Sequence, residues 1–194
     1  MERVVDSALT REEILAQNPE SPAPDEVLVA IDVSSVRYLG YDGKIHEGQI
    51  AMHKSLLPEI DTFFTAALTL GFPIEKVIPI AVPAYHWDDE VSCNDNNSSG
   101  YNYRVIHGTN RLSKHARGLA FDINPRQNIY IRFDDLGKEV FRAPADGVYD
   151  PAVPGTLTPD HPLVTLMEGL GWEWGGRWRY SSGRVDYQHF EKEV

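Results

Sequence analysis

The run Ser113-Lys-His-Ala-Arg-Gly-Leu-Ala-Phe-Asp122 predicts a strand with one apolar face and one face that carries a carboxylate. Successive side chains of a strand point to opposite faces, so Leu119, Phe121 and Ile123 point one way and Asp122 points the other. The apolar face can enter a core. Asp122 then lies between two buried neighbours and needs a partner, and a metal ion is one of the few partners that satisfies a buried carboxylate.

Two histidines complete a candidate metal site with Asp122. His115 stands on the loop before the strand, and Gly118 between them allows a tight backbone path. His189 lies near the C-terminus in the run Asp186-Tyr-Gln-His189. Catalytic zinc sites have three protein ligands of this kind and a fourth position for water. The residues therefore favour a zinc hydrolase with His115, Asp122 and His189 as ligands.

Asp186 is the candidate general base, which takes a proton from the attacking water. In a regular strand, residues three apart lie on opposite faces. Asp186 and His189 therefore serve one site only if a turn or bulge separates them, or if the base approaches the water from the side. An ordinary loop carboxylate is the alternative for Asp186.

Several ordered motifs together resemble a known family. The pattern Ser-x-His-x-x-Gly-x-Ala-x-Asp at 113–122 is followed by Gly-Trp-x-Trp-Gly-Gly at 171–176 and Asp-x-x-His-Phe-Glu at 186–191. These motifs resemble the M15-type zinc peptidases, a group of D-alanyl-D-alanine carboxypeptidase-like enzymes and L-alanyl-D-glutamate endopeptidases. The resemblance extends from about Tyr38 to the C-terminus.

The resemblance implies roles for further residues. Arg104, after an aromatic-rich segment, is expected to contact the substrate carbonyl or carboxylate, a task that suits a guanidinium fork. Ser113 is expected to help orient the substrate-binding site, and Trp172 and Trp174 to form walls of the cleft. Each has a plainer alternative: Arg104 as an ion-pair partner within the fold, and both tryptophans as core.

Composition is consistent with an enzyme of one domain. The 194 residues carry a net charge of −11, which argues against nucleic acid and against an anionic membrane surface. If the substrate is a peptidoglycan stem peptide, which is rich in carboxylates, its recognition must rely on local positive groups, namely zinc and Arg104. No apolar run is long enough for a membrane span, and we expect a monomer.

The compartment stays open at this level. Cys93 is the single cysteine, so an intramolecular disulfide is excluded. A cysteine protease has little support, because no helix start follows Cys93 to lower its pKa. The N-terminal residues lack the basic start and apolar stretch of a secretory signal. The protein is expected in the cell envelope if it is exported, and otherwise in the cytoplasm or in phage lysis.

The chain divides into a leader and connector at 1–25 and a zinc peptidase domain at 26–194. Helices are predicted at 10–17, where Thr10 and Glu13 form a capping box, at 58–70, and from Thr158 to Leu170. Strands are predicted at 27–33 and 77–82. The segments 88–100 and 142–162 are predicted to be loops. The expected class is α+β, a small antiparallel sheet with packed helices, and the resemblance implies a hedgehog or D-Ala-D-Ala peptidase-like fold.

The leading hypothesis is hydrolysis of peptidoglycan stem peptides by metal-activated water. The bond is either D-Ala-D-Ala at the terminus or L-Ala-D-Glu, and the sequence does not choose between them. One alternative is a non-catalytic, zinc-containing domain that binds a peptide or protein. Another is an intracellular D-Ala-D-Ala dipeptidase, which requires a cleft closed at both ends.

Overall fold

Short sheets and a few helices surround an aromatic core in the computed structural model of this chain. The structure describes residues 3–16, 18, 20–178 and 183–194. The α-helices are Arg11–Ile14 (α1), Asp25–Ala30 (α2), Leu57–Leu70 (α3), Asp89–Asn94 (α4) and Pro162–Gly169 (α5). The strands are Arg3–Val5 (β1), Ile31–Leu39 (β2), Ile45–His53 (β3), Lys76–Val77 (β4), Asn97–Ser98 (β5), Ala120–Asp122 (β6), Tyr130–Phe133 (β7), Glu139–Ala143 (β8), Glu173–Trp174 (β9), Arg184–Asp186 (β10) and His189–Glu191 (β11). The 3-10 helices are Lys114–Arg117 and Gly175–Arg177.

The strands form small sheets in the orders β1-β3-β2, β10-β7-β8, β6-β11-β9 and β4-β5. Most pairings are antiparallel, and β1 with β3 and β4 with β5 are parallel. The described chain contains no closed barrel. The mixed α and β content with small sheets agrees with the expected class, but the strands are divided among several sheets.

An aromatic cluster anchors the sheet β6-β11-β9 to helix α3. Phe121 of β6 stacks on Phe190 of β11 at 5.1 Å between ring centroids, and Phe63 of α3 meets Phe121 edge to face at 5.2 Å. Aromatic pairs of this kind contribute about 0.5–1.5 kcal/mol beyond the burial of their area. The cluster therefore fixes the two strands that carry Asp122 and His189.

Two helix predictions are confirmed. Thr10 caps α1 and forms the capping box with Glu13, but the helix ends at Ile14, short of the predicted span, and Gln17 lies outside the described residues. Helix α3 follows the predicted span and ends at Gly71, whose φ of 67° is left-handed. The C-terminal helix is present as α5, but it begins at Pro162 with His161 as its cap, four residues after the predicted start at Thr158.

The strand predictions at 27–33 and 77–82 are largely wrong. Residues 25–30 form α2 because Pro24 precedes a first turn with two acidic residues, which favours a helix start. The strand begins only at Ile31. The segment 77–82 contributes Val77 alone to β4, since Pro79 has no N–H to donate to a sheet.

One of the two loop predictions is wrong and the other is largely confirmed. The segment 88–100 contains α4 and β5, because the Asp88 side chain accepts from the backbone N–H groups of Glu90 and Val91 and so caps a helix. The segment 142–162 is free of helix and strand from Pro144 to His161, after β8 has ended at Ala143.

The N-terminal residues contact the rest of the fold. Strand β1 pairs with β3, and the Ser7 hydroxyl donates to the Gln49 side chain at 2.7 Å. Ile14 and Leu15 of this segment are buried in a second apolar cluster with Ile31 of β2. The division into 1–25 and 26–194 stays a prediction.

Candidate metal centre

The pairing of β6 with β11 places two of the predicted ligands side by side. Asp122 lies directly opposite His189 in the register, and Phe121 lies opposite Phe190. Directly opposed residues share one face of a sheet. The phenylalanine pair is therefore held in the core, while Asp122 and His189 point together to the other side.

A 3-10 helix brings in the third predicted ligand. Ser113 caps this helix, accepting from the backbone N–H of His115, and Gly118 ends it with a left-handed φ of 62°. The His115 ring donates from Nδ1 to the carbonyl of Gly100 at 2.7 Å. This bond fixes the ring and leaves Nε2 as the free ligand atom.

Three donor atoms converge at one buried point. His115 Nε2 lies 3.2 Å from His189 Nδ1 and 3.2 Å from Asp122 Oδ2, and His189 Nδ1 lies 3.0 Å from Asp122 Oδ1. Ligand atoms of the three residues all lie within 4.8 Å of one another, and all three residues are buried. The sequence-predicted ligand set is therefore assembled by the fold.

Glu191 supports the second histidine from behind. His189 Nε2 donates to the Glu191 carboxylate at 3.0 Å, two residues along the same strand. Burial opposes a charge on His189, but the hydrogen bonds to Asp122 and Glu191 prevail and raise its pKa to about 10. Burial likewise opposes charge on Asp122, whereas His115 and His189 lower its pKa far below the ordinary value. The surroundings therefore favour a positive charge between these side chains.

This donor set fits a metal ion. Two ring nitrogens at 3.2 Å repel through their lone pairs unless a proton or a cation lies between them. Two imidazoles and a carboxylate are ligands that zinc accepts readily, and both rings are oriented by an outer oxygen, as in protein metal sites. Residues His115, Asp122 and His189 can hold such an ion.

Asp186 lies at the end of β10, and a turn at Tyr187 and Gln188 separates it from His189. The turn removes the objection that residues three apart in a strand face opposite ways. Burial raises the pKa of the Asp186 carboxyl to about 6; His189 opposes this rise, and Asp122 adds to it. The Oδ1 atom is buried with no hydrogen-bond partner among the described residues. Asp186 therefore interacts electrostatically with His115, Asp122 and His189, and its Oδ1 atom is available to accept a hydrogen bond.

Arg104 is held beside the same cluster by Asp89 of α4, at 2.8 Å. Burial lowers the pKa of the guanidinium, but the carboxylates of Asp89 and Asp122 outweigh this and raise it above its ordinary value. The ion pair predicted as the plainer alternative is thus present. It leaves Nε buried and without a partner in the described chain.

The remaining predicted site residues are structural in this arrangement. Ser113 is buried and caps the helix of His115, so it positions a ligand. Trp172 is 3% exposed and donates to Glu59, and Trp174 is 0% exposed and donates to the carbonyl of Tyr187. The prediction that both indoles line a cleft is corrected here, because they lie in the core and offer a substrate no surface.

Cys93 does not have the features of a nucleophile. It lies within α4, and burial, followed by the nearby charge of Asp89, raises the pKa of its thiol well above the ordinary value. The thiolate is the reactive form of cysteine. The raised pKa of this thiol is consistent with the expectation that the protein is not a cysteine protease.

Sequence reasoning missed three features that the tertiary structure brings to the site. These are Glu191, the carbonyl of Gly100, and Trp178, whose ring lies 5.2 Å from the His189 ring. The glutamate has a sequence signal, since a residue two after His189 in a strand lies on the same face. The carbonyl and the indole have none, because both come from distant segments.

Unpartnered polar atoms gather in the segments around this centre. Six buried side-chain atoms of the described residues lack a hydrogen-bond partner, and five of them belong to Asn102, Arg104, Arg184, Asp186 and Gln188. Buried polar groups without partners are rare in native proteins and point to a ligand or water that satisfies them. These five residues belong to segments that carry or contact the candidate metal ligands, so this part of the fold holds polar atoms that a ligand or water can satisfy.

Comparison with known proteins agrees with this geometry. Residues 107–192 match a family model described as D-alanyl-D-alanine carboxypeptidase. The searches of curated proteins and of solved structures find no match. The matched range contains His115, Asp122, Asp186 and His189, and it lacks Arg104. Residues 107–192, a little under half of the chain, are therefore similar to the M15-type, D-alanyl-D-alanine carboxypeptidase-like peptidases.

Proposed function

We propose that this protein is a zinc metallopeptidase that hydrolyses the stem peptides of bacterial peptidoglycan. The observation that carries the proposal is the convergence of His115, Asp122 and His189 within 4.8 Å, inside the range that matches a peptidase family. The buried, unpaired oxygen of Asp186 adds a base to this ligand set. A structural zinc site has no need of such a base, so the peptidase is favoured over a closed binding module.

The chain's own residues divide the work of peptide hydrolysis. Zinc held by the three ligands supplies a Lewis acid that polarises a carbonyl and lowers the pKa of a water to about 7. Asp186 Oδ1 accepts the proton of the attacking water and returns it to the leaving amine. Burial raises the pKa of this carboxyl toward the ambient pH, and this direction suits both transfers because a catalytic acid–base group works best near that pH.

Arg104 stabilises the negative charge that develops on the carbonyl oxygen. Its guanidinium is held by Asp89, so little reorganisation is needed when the charge appears. Burial strengthens this electrostatic effect because the local dielectric constant is lower than that of water. Ser113 contributes indirectly, by capping the helix that orients His115.

The proposal includes the finer expectations for this chain. The substrate is a peptide that ends in D-Ala-D-Ala or contains L-Ala-D-Glu, and the protein acts as a monomer. The catalytic domain, residues 26–194, has the hedgehog or D-Ala-D-Ala peptidase-like fold. In the described residues, no helix is both long and apolar enough to cross a bilayer.

Mass spectrometry of the products tests the proposal. Zinc-loaded wild type is incubated with purified muropeptides and with free D-Ala-D-Ala, beside Asp186→Asn. We expect the wild type to release D-alanine or to split L-Ala-D-Glu, which names the bond. The variant is expected to retain zinc, measured by elemental analysis, and to lose the activity.

A matched control separates the base from a general loss of charge. Asp135→Asn removes a carboxylate from the exposed turn between β7 and β8, and it is expected to leave the cleavage unchanged. If the zinc-loaded wild type cuts none of these peptides, the peptidase proposal fails and the binding module takes its place.

A further inference from the structure

Strand β10 carries an arginine, Arg184, on the same face as Asp186, the candidate base. Val185 is buried in the core at 1% exposure, and its neighbours Arg184 and Asp186 therefore point to the opposite side. Residues two apart on one strand face are close neighbours. Arg184 thus lies beside Asp186, in a region that sequence reasoning did not assign to a site.

Trp178 connects this arginine to the metal ligands. The guanidinium carbon of Arg184 lies 4.6 Å above the Trp178 ring, and that ring lies 5.2 Å from the ring of His189. Stacking on an aromatic ring holds a guanidinium in a fixed plane and leaves its N–H edge available for hydrogen bonds. Arg184 therefore contacts Trp178, and Trp178 in turn contacts the candidate ligand His189.

The hydrogen bonds of Arg184 are incomplete among the described residues. Its Nε atom is buried without a partner. The rest of its side chain forms a hydrogen bond with the Tyr130 hydroxyl, which is a neutral group. Arg177 provides the contrast, because it also lies over an indole, that of Trp174, but its fork is taken by two bonds to Glu168 at 2.7 and 2.9 Å. A bound ligand can therefore supply the hydrogen-bond acceptor that Arg184 Nε lacks among the described residues.

We propose that Arg184 is a specificity residue that binds a carboxylate of the peptide substrate beside the metal centre. The inference rests on the proposed peptidase function and names the chemical class of its substrate, an anionic peptide. A planar guanidinium accepts a carboxylate through two parallel hydrogen bonds.

Charge supports this choice of ligand. The chain has a net charge of −11, so an anionic peptide gains nothing from the long-range field and depends on local cations. Both arginines have a buried Nε–H without a partner, but the Arg104 guanidinium is paired with the Asp89 carboxylate, whereas no carboxylate of the described residues forms an ion pair with Arg184. Two sources of carboxylate are compatible with this chemistry, the free C-terminus of the peptide and the acidic group of an internal D-Glu.

Paired peptides distinguish these sources. Each peptide is compared with its carboxamide counterpart, once with the C-terminus blocked as the amide and once with D-Glu replaced by D-Gln. We expect Arg184→Gln to lower kcat/KM about ten- to hundredfold, mainly through KM, for the acid member of one pair. The amide member of that pair should change by less than about twofold. Arg184→Lys should restore part of the preference, because the charge is kept and the fork is lost.

A binding measurement keeps the inference independent of turnover. Acid and amide peptides are titrated by calorimetry into zinc-loaded Asp186→Asn protein, with and without Arg184→Gln. A preference for the acid peptide that disappears in the Arg184→Gln variant supports the proposal. This holds even if the zinc-loaded wild type cuts no peptide, because that result would defeat only the peptidase function. Arg177→Gln is the matched control and should leave the preference intact. Equal losses for acid and amide members in every pair would overturn the proposal, and so would an absence of acid preference in the wild type.

Discussion

Substitution of Gly118 by alanine should destabilise the protein far more than the same change at Gly43. Both glycines have left-handed backbones, with φ of 62° and 76°. This conformation costs an alanine about 1–2 kcal/mol at either position. The two sites differ in what surrounds the added Cβ.

At Gly118 the added carbon would lie 2.5 Å from the backbone nitrogen of His53 and 2.8 Å from the carbonyl carbon of Met52, whereas at Gly43 nothing lies within 4 Å. The atoms at Gly118 belong to the backbone of β3 and cannot rotate away. Moving a packed strand adds about 1–3 kcal/mol. We therefore expect a loss of about 2–5 kcal/mol for Gly118→Ala and about 1–2 kcal/mol for Gly43→Ala.

Urea unfolding of the metal-free proteins, followed by tryptophan fluorescence with chelator present, measures the two losses. Equal losses in the two variants would refute the argument from close approach. A zinc titration adds a second readout, because Gly118 ends the 3-10 helix that carries His115. Zinc affinity should fall for Gly118→Ala and stay unchanged for Gly43→Ala.

Three further predictions follow from contacts of single side chains. Asp186→Asn should retain zinc and lower kcat about 10²- to 10⁴-fold, the usual contribution of a general base, and retention of full activity would exclude that role. Glu191→Gln should weaken zinc binding about 10- to 100-fold, because the outer partner of His189 loses its charge; a competitive chelator titration measures this, and an unchanged affinity would count against the contact. Burial lowers the pKa of His46, but hydrogen bonds to Asp6 and Asp42 prevail and raise it above its ordinary value. The stabilisation from His46 is therefore complete below the unfolded pKa, about 6.5, and is lost as the pH rises through the folded value. Wild type should exceed His46→Gln in stability by more at pH 5.5 than at pH 8.5 in urea unfolding, and a gap that widens with rising pH would contradict this.

The aromatic core and the ligand set could be predicted from local patterns. Alternation along Leu119–Ile123 separates Phe121 from Asp122, and the structure confirms that Phe121 lies in the core while Asp122 meets the two histidines. The spacing of apolar residues similarly predicted helix α3, and the structure shows that this helix packs on the strand through Phe63 and Phe121. Such patterns are reliable because backbone geometry alone determines the face on which a side chain lies.

Predictions that depended on what lies across the fold were less successful. Trp172 and Trp174 were assigned to a cleft, yet each finds a buried acceptor in another segment, Glu59 and the carbonyl of Tyr187. A tryptophan suits a wall or a core equally well by its own chemistry, and only its neighbours decide between them. The segment 27–33 shows the same difficulty, since a helix start at Pro24 prevailed over strand-like residues.

The sequence by itself determined the candidate metal ligands, since the residue types of His115, Asp122 and His189 limit the ions that they could hold. Tertiary structure alone decided how they converge, through the register of β6 against β11 and the carbonyl of Gly100 that orients His115. It also decided that Arg184, which shares a face of β10 with Asp186, stacks on Trp178. The physical reason is that residue type sets which bonds a side chain can make, whereas strand pairing and packing set which distant partner comes within bonding distance.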